Sequence, residues 1–70
     1  MSQYIFNKNV DNNGNHEVHT NSCSYLPAEE NRVPLGFHLN CTSAISTAKT
    51  LYPGSSFDGC YYCSKACHKG

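Results

Sequence analysis

The chain has 70 residues, with five cysteines, four histidines, and five Lys+Arg balanced by five Asp+Glu for a formal net charge of zero. That length allows one small domain, residues 1–70, and rarely buries enough apolar surface to hold a fold without a staple. Zero net charge, with 14% of residues charged, speaks against a nucleic-acid binder driven by electrostatics, and no apolar run approaches the roughly 18 residues of a membrane span.

From the N-terminus, Met1 to Lys8 lacks the basic segment and following apolar stretch of a signal peptide. A cytoplasmic chain is therefore expected, where clustered cysteines serve as ligands more often than as disulfides. An odd cysteine count also fits a complete disulfide framework poorly. Tyr4-Ile5-Phe6 suits a strand. Asn7 to Asn15 is almost wholly polar, with Asn13-Gly14 as the turn, and Glu17-Val18-His19-Thr20 returns as the second strand. The spacing predicts a hairpin over 4–20 with a long polar loop.

Asn21-Ser22 then forms a turn before Cys23, and residues 24–32 show little periodicity. Val33, Leu35, Phe37 and Leu39 alternate strictly with Pro34, Gly36, His38 and Asn40. Period two marks a half-buried strand, and the Pro and Gly on its outer phase place it at a sheet edge or bulge. Ala44, Ile45, Ala48, Leu51 and Tyr52 fall on one helical stripe, capped by Asn40 or Thr42 and stopped by Pro53-Gly54. Ser55 to Gly59 reads as a loop. The expected fold is α+β: a small three-stranded antiparallel sheet, one main helix, and a C-terminal Cys-x-x-Cys knuckle or short helix. Tyr4, Phe6, Phe37 and Tyr52 are its expected aromatic core.

Three cysteines and a histidine crowd the last stretch, Gly59-Cys60-Tyr61-Tyr62-Cys63-Ser64-Lys65-Ala66-Cys67-His68. Cys60-x-x-Cys63 can fold as a knuckle presenting both sulfurs to one ion, and a helix from Cys60 would bring Cys67 onto the same face. A closed tetrahedral site needs two more donors, and His19 with Cys23 is the best upstream pair. In extended chain these two stand about 13 Å apart, so Asn21-Ser22 must turn for both to reach one ion. The set His19, Cys23, Cys60 and Cys63 would then staple the hairpin to the C-terminus through zinc. Cys67, Cys41 and His68 are reserve donors.

Competing with the metal are free thiols that pack as small hydrophobes, or a disulfide such as Cys41–Cys67 or Cys23–Cys60. A disulfide-stabilised secreted or periplasmic domain is thus the alternative class. Thiol catalysis is disfavoured because no acid to orient a histidine base is apparent and so short a chain leaves little room for a cleft. A redox role for the Cys-x-x-Cys pair lacks its βαβ context. His16 and His38 are read as solvent histidines.

The pattern Val18-His19-x3-Cys23-x2-Leu26-Pro27, Leu35-Gly36, Ala44 and Ala48 on a helix, then Gly59-Cys60-x2-Cys63, resembles the Ada-type metal-binding fold over roughly residues 4–67. That family includes the N-terminal zinc domain of the bacterial methyl-phosphotriester DNA repair protein. The resemblance implies a zinc-stabilised unit with ligands in the His19/Cys23 and Cys60/Cys63 pairs. His19 stands where the methyl-accepting cysteine is expected, so the repair chemistry is expected to be absent. The Arg and Lys residues that surround the downstream pair in DNA-binding relatives are replaced by Tyr61 and Tyr62. The expected function is therefore a non-catalytic metal-stabilised module. Its partner is expected to be a protein rather than nucleic acid, to which binding would be weak, and not a membrane.

Overall fold

The computed structural model describes every residue, Met1–Gly70. Four strands and one helix follow in the order β1 (Ser2–Val10), β2 (Asn15–Thr20), β3 (Arg32–His38), α1 (Cys41–Leu51) and β4 (Ser56–Gly59), with 3-10 turns at Glu29–Asn31 and Lys65–Cys67. The sheet runs β3-β1-β2-β4, with β1 antiparallel to both β2 and β3 and with β4 parallel to β2. The α+β class matches the expectation. The three-stranded antiparallel sheet does not: a fourth strand makes the sheet mixed.

That fourth strand occupies the stretch read as a loop. Ser55 and Ser56 hide its one strong apolar residue, and four residues are too few to show a period. Phe57 is nevertheless a core residue, edge-on to Phe6 at 5.1 Å. Burying such a side chain contributes roughly 1.5–3 kcal/mol, enough to hold a short strand against β2.

The hairpin is tighter than its composition suggests. Both strands run deep into the polar segment, leaving Asp11 to Gly14 as the connection. There the Asp11 carboxylate accepts hydrogen bonds from the Asn13 and Asn15 backbone N–H groups, an Asx turn that replaces the long loop. Asn-rich composition alone says nothing of ladder pairing.

Helix α1 packs over one sheet face. Its N-cap is Asn40, whose side chain accepts from the Ser43 N–H. Ala44 and Ala48 are wholly buried, and with no side chain beyond Cβ they let the helix sit close to the strands. Tyr4, Phe6, Val18, Leu35, Cys41 and Phe57 complete the cluster. Ile5 and His19 are cross-strand partners on the other face, buried there outside that cluster.

Strand β3 lies at the sheet edge and carries a bulge, as its Pro and Gly predict. Tyr4 pairs with Gly36 and Ile5 with Pro34, so Leu35 is the extra residue, and Gly36 takes φ 83°, a conformation glycine adopts without strain. The bulge breaks the alternation. Leu35 enters the core, but Phe37 is 66% and Leu39 77% exposed, which corrects the expectation that both face inward. Tyr52 is also a rim residue, edge-on to Phe6 at 5.2 Å. Neither His16 nor His38 is free in solvent, which corrects the expectation for both. His16 donates through Nδ1 to the Asn7 carbonyl, and His38 donates through Nε2 to the Leu35 carbonyl.

Cys41, at the first turn of α1, forms a disulfide with Cys67 across a sequence separation of 26. Closing a loop of that size is worth about 3 kcal/mol in the chain-entropy account. A Cys41→Ser/Cys67→Ser variant should lose about that much stability in urea titration; an unchanged midpoint would show that the disulfide carries none of the fold.

Candidate metal centre

Cys60 follows directly on β4, and the parallel ladder decides where it goes. Glu17 pairs with Asp58 and Val18 with Gly59, and the Cys60 N–H then donates to the Val18 carbonyl at 2.9 Å. Cys60 is thereby brought alongside His19. The chain does not continue as a helix. A turn is closed by the Ser64 N–H on the Cys60 carbonyl, and the 3-10 turn Lys65–Cys67 follows. Upstream, the Cys23 N–H donates to the Thr20 carbonyl, so Asn21 and Ser22 make the turn that the His19–Cys23 spacing requires.

The outcome is one group: the donor atoms of His19, Cys23, Cys60 and Cys63 all lie within 4.8 Å of one another. The Cys23 and Cys60 sulfurs are 3.9 Å apart, and the Cys63 sulfur is 3.8 Å from His19 Nδ1. Two sulfurs held tetrahedrally at about 2.3 Å from one ion stand ~3.8 Å apart, so these separations are already close to coordination edges. Backbone N–H groups of Thr20 and Tyr25 point at the Cys63 and Cys23 sulfurs, each at 3.4 Å. Such donors stabilise negative charge on sulfur. His19 and Cys60 are each 1% exposed, while Cys23 and Cys63 close the outer side.

The reserve donors lie elsewhere. The disulfide takes Cys41 and Cys67, so the expected single sulfur face of Cys60, Cys63 and Cys67 does not form. A 3-10 turn in place of an α-helix points Cys67 at α1. His68 donates through Nδ1 to the Gly59 carbonyl at 3.0 Å and lies 3.7 Å from the Asp58 carboxylate. Asp58 in turn accepts from the Lys69 N–H at 2.7 Å, which pins the C-terminal segment to β4.

The electrostatics of the group are those of shared negative charge. Burial pushes the Cys23 thiol up to about 12, reinforced by its interaction with Cys63. Burial also raises Cys60. It would raise Cys63 too, but hydrogen bonds from the Cys23 thiol, the Thr20 N–H, the Cys60 thiol and the Ser64 hydroxyl hold that sulfur below its ordinary value. Burial, followed by the Arg32 charge, keeps the His19 imidazole neutral to lower pH than usual. A neutral imidazole and three thiols, one held below its ordinary value, form a donor set suited to a soft or borderline divalent cation.

Sequence spacing missed Glu17. Its Oε1 lies 3.3 Å from His19 Nε2, so an acid stands beside the imidazole. The signal was the i, i+2 relation of the two residues in one strand, which sets both on the same sheet face.

Family models, curated proteins and solved structures return no match to this chain.

Gly59 shows how tightly the knuckle is built. A Cβ there would lie 2.5 Å from the Ser64 carbonyl oxygen and 2.9 Å from the Cys67 carbonyl carbon, both backbone atoms that cannot swing aside. Gly59→Ala should therefore cost at least the ~1–3 kcal/mol typical of overpacking, read as a lower unfolding midpoint. Wild-type stability in that variant would mean the knuckle is loose.

Proposed function

We propose that the chain is a non-catalytic module of Ada-like type, stapled by one structural zinc ion on His19, Cys23, Cys60 and Cys63. The observation that carries this reading is the convergence of four soft donors, from two segments far apart in sequence, at near-coordination separations. Four protein donors fill a tetrahedral ion and leave no position for water or substrate, the arrangement of structural rather than catalytic zinc. Zinc would supply on the order of 10 kcal/mol of folding free energy.

A thiol-enzyme reading has one observation in its favour: Cys63, His19 and Glu17 follow one another as nucleophile, base and orienting acid do. Against it, the imidazole is sealed from solvent, and the Cys63 sulfur accepts from the Cys23 and Cys60 thiols. The Cys41–Cys67 disulfide supports the reading of a secreted or periplasmic domain, and it combines with a metal centre without conflict because the two use different cysteines.

The partner-binding face we assign to tyrosine. Tyr25 and Tyr62 stack at 4.0 Å, and Tyr61 meets Tyr62 edge-on at 5.2 Å. All three are about half exposed or more. A contiguous exposed aromatic patch of this kind suits a protein contact, and neutral overall charge does not favour nucleic acid.

Natively purified protein should hold about one zinc per chain and unfold when a strong chelator removes it. A metal-free, fully folded protein would refute the staple. Because Cys23 and Cys60 keep their protons near neutral pH in the absence of metal, uptake must expel them. Apparent affinity should then climb by about one decade per pH unit for each proton released, and zinc should be lost on acidification. Chelator competition across a pH series measures the slope, and a flat profile would contradict thiolate ligation.

A further inference from the structure

His19 has two ring nitrogens, and the fold gives each a different neighbour. Nδ1 faces the Cys63 sulfur at 3.8 Å, inside the donor group, whereas Nε2 faces the Glu17 carboxylate at 3.3 Å. An imidazole that ligates through one nitrogen carries its proton on the other, and that proton needs an acceptor when the ring is buried. His19 is 1% exposed, so water cannot supply that acceptor.

Resting on the zinc reading above, we infer that Glu17 is a positioning residue for the metal: it accepts the Nε2–H of His19 and so fixes ligation through Nδ1. The backbone enforces the arrangement. Glu17 and His19 are two apart on β2 and share one sheet face, and that strand is locked between β1 and β4. Val18, between them, is wholly buried in the core on the opposite face, so the strand cannot rotate to release either side chain. The carboxylate side chain is about one-third exposed. It therefore keeps partial hydration while its Oε1 serves the ring.

The role needs an acceptor of the right length, not a charge as such. In Glu17→Gln the amide oxygen still accepts from Nε2–H, but in Glu17→Ala nothing does. Loss of such an outer partner typically weakens metal affinity 10–100-fold.

The test compares zinc affinity of the full chain, by chelator competition, for wild type, Glu17→Ala and Glu17→Gln. It adds long-range proton–nitrogen correlation spectra of the His19 ring in the zinc-loaded protein. The expected result is roughly 10–100-fold weaker binding for Glu17→Ala, recovery of most of that loss in Glu17→Gln, and a wild-type ring with its proton on Nε2 and metal on Nδ1. The nitrogen assignment separates ring positioning from a merely structural role, because a general loss of stability does not move the proton between nitrogens. Wild-type zinc binding with unchanged affinity in Glu17→Ala, or with metal on Nε2, would overturn the assignment while leaving the zinc centre standing. A wild-type chain that takes up no zinc would instead overturn the centre itself, and Glu17 with it.

Discussion

Parallel pairing of β4 with β2 is the constraint on which the rest of this structure depends. The ladder is only four residues long, yet it carries Cys60 from the far end of the chain to a place beside His19. A helix must cross the sheet before β4 can enter it in that direction, which gives α1 its position. The core face is then closed by Phe57, and the opposite face receives the donor group. Secondary structure, core and candidate centre thus share one cause.

The two faces divide the labour by side-chain period. Tyr4, Phe6 and Val18 pack under α1, whereas Ile5, Glu17 and His19 take the alternate positions on the same strands. Side-chain alternation therefore converts two short segments into one surface that packs under the helix and one that bears the donor group. The unequal cysteines follow from this. Cys41 and Cys67 lie where the helix meets the C-terminal turn, and the other three lie on the ligand side.

What was legible in the sequence was whatever repeats or spaces regularly. The extent of α1, its Asn40 cap and the Cys-x-x-Cys spacing could be read directly, as could the turn between His19 and Cys23. Leu51, assigned to the apolar stripe, is instead 58% exposed. Hidden were the features that depend on pairing between distant segments. Phe57 stands alone in a polar stretch, and only β2 makes a strand of it. Phe37 obeys strict alternation, but the Leu35–Gly36 bulge against β1 turns it outward. Glu17 looks like an ordinary solvent acid until His19 is seen to be buried. Cys67 sits at helical spacing from Cys63, but the segment between them is not α-helical, and its Cys67 Cβ packs close to Gly59.

The disulfide between Cys41 and Cys67 also has a topological meaning when set beside the donor pairs. In chain order the residues run Cys23, Cys41, Cys60, Cys67, so the disulfide and the donor group interleave rather than nest. The exposed connection between α1 and β4, around Pro53-Gly54, lies inside the disulfide loop and between the two donor segments. A protease that cut there would leave two pieces still joined by the disulfide, with His19 and Cys23 on one and Cys60 and Cys63 on the other. The disulfide closes the domain once, and the proposed metal on the donor group would close it a second time across the same turn.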